Sequence, residues 1–176
     1  MSEITLRTLK RYLIQQSKEE LIKQIAETFT KFDYVKDYYK GIINPEDNDN
    51  ILQKYQTIIK NEFFPNRGFG NARLSIAKKA ISDYKKVSFS KNGVADIMLF
   101  FVEMGVKFTN AYGDINESFY NSMESMYERM LKYITENNIQ EKFQARCKKI
   151  VDDTRGIGWG FHDGLTDSYY EYFGES

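Results

Sequence analysis

Along nearly the whole chain, apolar residues recur at intervals of three and four, the period of an amphipathic helix. No stretch alternates convincingly with the period of two that a half-buried strand requires. Leu6, Leu9 and Leu13 mark a short first helix. Ser17 with Glu20 reads as a capping box, opening a second helix whose buried stripe is Leu21, Ile22, Ile25, Phe29 and Phe32. Asp33 is the expected cap of a third, carrying Val35, Tyr38, Tyr39, Ile42 and Ile43. Residues 44–50 form a polar loop. Asp49 or Asn50 then caps a helix with Ile51, Leu52, Tyr55, Ile58, Ile59 and Phe63 inward, stopped by Pro65.

Asn71 is the expected cap of the next helix, with Leu74, Ala77, Ile81 and Tyr84 on one face. After a break over residues 88–93 comes the most apolar segment: Val94, Ile97, Met98, Phe101, Val102, Phe108 and Tyr112. Being apolar on more than one side, it predicts the central helix. Asp114 and Glu117 give a capping-box-like start to a helix through Phe119, Met123, Met126, Met130 and Ile134. The methionines read as core filler. Asn138 opens a further one, with Ile139, Phe143, Cys147, Ile150 and Val151. The pattern therefore predicts an all-α fold of about eight or nine antiparallel-packed helices, an irregular bundle or a short superhelical stack. It is read as a single helical domain over residues 1–176, with helix above about 60% of residues.

Composition changes this picture little. A chain of 176 residues buries roughly two-thirds of its unfolded surface and needs no disulfide. The lone Cys147 fits a reducing compartment. No signal-peptide h-region is expected in the opening residues, and the longest apolar run, residues 97–102, falls far short of the roughly 20 residues of a membrane span. The expectation is a cytoplasmic protein with no membrane association.

Charge changes it more. Lys60, Arg67, Arg73, Lys78, Lys79, Lys85, Lys86 and Lys91 face only Glu62 and Asp83 over residues 60–91, a net of +6, whereas residues 92–176 carry a net of −6. These segments could pair with each other or stay solvated; alternatively, the basic one is a partner surface. Within it, residues 63–73 combine glycines, Arg67 and Arg73 ahead of a helix N-terminus, a setting suited to phosphate or carboxylate, and Lys78 and Lys79 extend the positive surface. With zero net charge and no nucleic-acid motif, an acidic protein or other anionic partner is expected rather than nucleic acid.

The other unusual stretch is residues 155–173, which holds the only Trp, the only His, and Gly156, Gly158, Gly160 and Gly164. Gly156, Gly160 and Gly164 are spaced four apart, and Trp159, His162, Thr166, Tyr169 and Phe173 follow helical spacing. Two readings stay open: a tightly packed helix with a smooth glycine strip, or a glycine-rich loop presenting Trp159, His162 and Asp163 to a ligand. His162 is the catalytic candidate, as a lone general acid or base. One His and one Cys supply no zinc, di-iron or HD-type ligand set, so no metal and no cofactor are expected. Cys147, in phase with Phe143 and Ile150, reads as core.

The segment LKRYLIQQSKEELIKQIAETFTKFDYVKDYY, together with FTNAYGDINESFYNSMESMYERML and GWGFHDGLTDSYYEYF, resembles a bacterial family catalogued as domain of unknown function 6155. The resemblance spans nearly the whole chain and implies a bacterial origin and a compact helical protein. It implies no activity, substrate or catalytic residue. The expected function is a non-enzymatic helical interaction module with its basic surface around Arg67, Arg73, Lys78 and Lys79; the alternative is a small enzyme or ligand-binding protein with a cleft near Arg155, Trp159 and His162.

Overall fold

The computed structural model describes residues 4–174, so the first three and last two residues of the expected 1–176 domain lie outside it. Helix accounts for 79% of the described residues, and none of them is in a strand. The helices are α1 (Leu6–Ile14), α2 (Lys18–Lys31), α3 (Asp33–Ile43), α4 (Asn48–Phe63), α5 (Leu74–Val87), α6 (Lys91–Tyr112), α7 (Glu117–Glu136), α8 (Gln144–Asp153) and α9 (Phe161–Phe173). Short 3₁₀ turns, Pro45–Asp47 and Gln140–Lys142, precede α4 and α8.

The core lies in α4–α9. As its pattern predicts, α6 is buried on most sides; Ile97, Leu99, Phe101 and Val102 are inaccessible to solvent. Helices α4, α5, α7 and α8 pack around it, and α9 packs on α7 and α8. Met123, Met126 and Met130 all face inward from α7. At Gly105 of α6 a Cβ would stand 2.2 Å from Met123 Sδ, so the lack of a side chain there sets how closely α6 and α7 approach.

Helices α1 and α2 bury no residue at all. The stripe expected to be buried on α2 is largely in solvent: Ile22, Ile25 and Phe29 are 57%, 45% and 39% exposed, and Phe32 is also exposed. Leu6 and Leu9 of α1 are exposed likewise. Amphipathic spacing identifies which face of a helix is apolar, but not what covers it. The arm joins the bundle through α3, where buried Asp37 accepts hydrogen bonds from Lys54 Nζ (2.6 Å) and Tyr55 Oη (3.0 Å) of α4, and Tyr38 packs on Phe89. Ile42 and Ile43, expected inward, are exposed past this anchor.

Most remaining differences concern caps. The Ser17–Glu20 capping box forms as expected. Helix α3 has Phe32 at its N-cap with no side-chain bond, α4 begins after Asp47, and Arg73 rather than Asn71 precedes α5. Asn116 caps α7 through Phe119 N–H in place of Asp114. Asn138 takes φ +56° in a turn instead of capping α8. Several acceptor side chains lay within one turn of each start, and backbone geometry chose among them.

Candidate functional site

The loop between α4 and α5 is tied down rather than poised for a ligand. The Arg73 guanidinium donates to both carboxylate oxygens of buried Glu62, at 2.8 and 2.9 Å. This bidentate pairing raises the Arg73 pKa and neutralises a carboxylate that α4 would otherwise bury uncompensated. Ala72 N–H donates to the Glu62 carbonyl, at 2.8 Å. Gly70 lies so close to the end of α4 that a Cβ would fall 1.9 Å from the Phe63 carbonyl oxygen. Arg67 stays exposed at the tip.

Of the lysines that follow, Lys79 and Lys86 both pair with Asp83, which holds that carboxyl below its ordinary range. Lys78 points elsewhere: its Nζ donates to Ser122 Oγ of α7, at 3.0 Å. That contact marks one end of a groove that sequence reasoning missed. Helices α5 and α7 each pack on α6 but scarcely on each other. The space between them is lined by Lys78, Ser82, Lys85, Met126 and Arg129 and continues past Met98 to Lys132 and Tyr133. It is a shallow depression of about 150 Å³ near Lys78 and 270 Å³ near Tyr133. Lys85 Nζ sits 5.9 Å from the centre of the Tyr133 ring. Partial burial, and then the charge of Arg129, push the Lys85 pKa down. Among the described residues, neither Lys78, Lys85 nor Arg129 has a carboxylate within ion-pair distance, whereas Lys132 reaches Glu136 at 3.8 Å. The groove is thus a place where cations crowd without full compensation. No local signal announces it, because Lys78 and Ser122 are 44 positions apart.

The C-terminal stretch divides between the two expectations. Residues 155–160 are irregular, with positive φ at Gly156 (+85°), Trp159 (+64°) and Gly160 (+71°). Helix α9 starts only at Phe161, so Gly156, Gly160 and Gly164 do not line one helix face. Gly156 and Gly160 serve the turns, where a left-handed backbone favours glycine; neither has a neighbour within 4 Å of a Cβ position, and only Gly164 faces a side chain, Glu124. Trp159, 62% exposed, lies off the helix, while His162 and Thr166 continue along it. Thr154 Oγ1 donates to the Val151 carbonyl (2.7 Å) and lies 2.9 Å from His162 Nδ1. With its proton so used, the hydroxyl accepts from Nδ1–H, which fixes the His162 tautomer. Asp163 is exposed in the first turn of α9, and Arg155 pairs with Asp152. The structure thus gathers His162 with Thr154.

Cys147 is fully buried, and desolvation pushes its thiol up to about 12, so it packs as core. No group of three or more His, Cys, Asp or Glu among the described residues is arranged to hold a metal ion. No helix among them is long and apolar enough to cross a membrane.

Compared with known families, residues 4–173 match the model of a family of unknown function. No curated protein and no solved structure matches the chain.

Proposed function

Since the chain belongs to the family of unknown function DUF6155, its activity must be argued from its own surface, and we propose that it is a non-enzymatic helical interaction module that docks an acidic protein segment in the α5/α7 groove. The observation that carries this reading is the row Lys78, Lys85 and Arg129, which has no ion-pairing carboxylate among the described residues. Crowding cations in a partly desolvated groove is costly, and an incoming carboxylate relieves that cost. The basic surface read from the sequence keeps Lys78 as a wall residue and Arg67 as an outlying charge, while Arg73 and Lys79 serve the fold through Glu62 and Asp83. A single-domain, cytoplasmic, bacterial setting belongs to the same proposal. It is supported by the one buried thiol and by the family resemblance.

The alternative of a small enzyme near Trp159 and His162 has less support. Trp159 stands in solvent. The test is titration of the full chain with a polyglutamate peptide. Saturable binding should weaken with salt and fall at least about tenfold in Lys85→Glu and Arg129→Glu, a loss of roughly 1.4 kcal/mol or more, with the melting temperature nearly unchanged. Binding indifferent to both substitutions would remove the groove from consideration.

A further inference from the structure

We infer that the end of the α5/α7 groove beside Lys78 is a site for a phosphoryl group carried on a protein segment, with an apolar side chain of the same segment seated beside Tyr133. This rests on the groove being a docking site for an acidic segment, and it names the acid.

The first argument is charge. Lys78, Lys85 and Arg129 line one depression of about 150 Å³ together with Ile81, Ser82 and Met126, and its walls include no acidic residue. Partial burial, and then Arg129, already lower the Lys85 pKa, so the amine feels this crowding. One carboxylate brings a single negative charge to three cations. A phosphate monoester brings about −1.5 to −2 at neutral pH, with three strong acceptor oxygens.

The second is the placement of donors. Lys78 and Lys85 belong to α5 and Arg129 to α7, so donors stand on both walls. A carboxylate offers two oxygens in one plane. The three oxygens of a tetrahedral phosphoryl group point apart and accept from both walls at once. Lys78 Nζ donates one N–H to Ser122 Oγ, at 3.0 Å, which reaches across the groove and leaves two N–H groups for a ligand.

The third is size. The depression is smaller than the roughly 300–1,000 Å³ of sites that enclose a whole small molecule, so it fits one group of a larger partner. The groove then widens to about 270 Å³, where Met98 and Tyr133 supply apolar surface. Met126 and Tyr133, both on α7, are separated by about 10 Å along the helix axis. An extended chain advances roughly 3.3 Å per residue. The phosphorylated residue and the apolar one therefore stand about three positions apart.

The test is calorimetric titration of the full chain. The probes are a short peptide with one phosphoserine and a leucine three positions to either side, the same peptide with glutamate for phosphoserine, the phosphopeptide with both leucines replaced by serine, inorganic phosphate, and phosphatidic acid vesicles. The phosphopeptide should bind at least about tenfold more tightly than its glutamate counterpart and about 100-fold more tightly than inorganic phosphate. Removing the leucines should weaken it several-fold. Lys85→Gln and Arg129→Gln should each abolish the preference for phosphoserine over glutamate with the thermal transition unchanged, whereas Lys149→Gln, on α8, should leave that preference intact. A glutamate peptide that binds as tightly as the phosphopeptide overturns the inference and leaves the groove as a site for acidic segments. Inorganic phosphate bound as tightly as the phosphopeptide overturns it as a free-anion site, and a preference for the vesicles reassigns the phosphoryl group to a lipid. No binding of any peptide removes both the inference and the docking reading beneath it.

Discussion

Helices α2 and α7 are written in the same pattern and end in opposite environments. Each has a polar side-chain N-cap, Ser17 or Asn116, and each repeats large apolar residues at helical spacing. On α7 the stripe Phe119, Met123, Met126, Met130 and Ile134 is buried against α6 and α9. On α2 the stripe Ile22, Ile25 and Phe29 faces solvent. Local pattern determines the helix and its apolar side; what fills the space opposite determines burial. The bundle is a finished core, and the arm carries an apolar face that the described residues leave in solvent.

The sharpest way to break this comparison is to truncate one large side chain in each region. Phe101→Ala, at a site with no solvent exposure, should cost about 3–5 kcal/mol. Ile25→Ala, at an exposed site, should stay within about 0.5 kcal/mol. Denaturant melts monitored by circular dichroism check both. Equal losses would mean that the arm packs as core.

Glycines sharpen it next. Gly105→Val drives bulk into Met123 and should cost roughly 1–3 kcal/mol through overpacking. Gly70→Ala meets backbone at the end of α4 and should cost at least as much. Gly160→Ala, with open space but φ +71°, should lose only about 1–2 kcal/mol, through the left-handed backbone alone. Thermal melts that rank Gly160 above Gly70 would contradict this geometry.

These positions also show how much was legible. The all-α class, the central place of α6 and the inward methionines of α7 were readable because burial on several sides leaves its mark in one continuous segment. The exposure of the arm is not legible, because nothing in the Leu21–Phe32 pattern says whether a partner helix is present. Within the candidate site, Lys78 was readable as a basic residue, but Lys85, Arg129 and Tyr133 converge only through α6, and that convergence is tertiary. In the sequence Glu62 and Asp83 are visible only as charges; the fold makes them the neighbours that engage Arg73 and Lys79. In residues 155–160 the helical spacing was real, yet glycine density outweighed it: Gly156 and Gly160 favour left-handed turns, and the helix began only after them.

Thiol chemistry gives a contrast by rate. Native Cys147, its thiol pushed up to about 12 by burial, should resist an aromatic disulfide reagent at neutral pH until the chain unfolds. A cysteine introduced as Ile25→Cys should react at once. Fast labelling of Cys147 in the parent would mean that the bundle opens far more readily than its packing implies.

The smallest expected effect concerns pH. Burial, and then neighbouring Glu128, raise the Glu124 pKa. The native state therefore holds that proton more tightly than the unfolded chain, so its contribution is present below the ordinary glutamate range and is lost as pH rises through the raised value. Glu124→Gln should accordingly stabilise the protein slightly at neutral pH, by less than about 1 kcal/mol, and flatten the pH dependence between weakly acidic and neutral conditions. A destabilised variant would contradict this sign.

The most direct test of the central claim, that the arm is energetically separate from the bundle, is residue-resolved native-state hydrogen exchange in dilute solution. Amides of α1 and α2 should exchange with little protection while those of α6 and α7 exchange only through global unfolding. Protection of α1 and α2 equal to that of α6 under the same conditions would show that the arm belongs to the core.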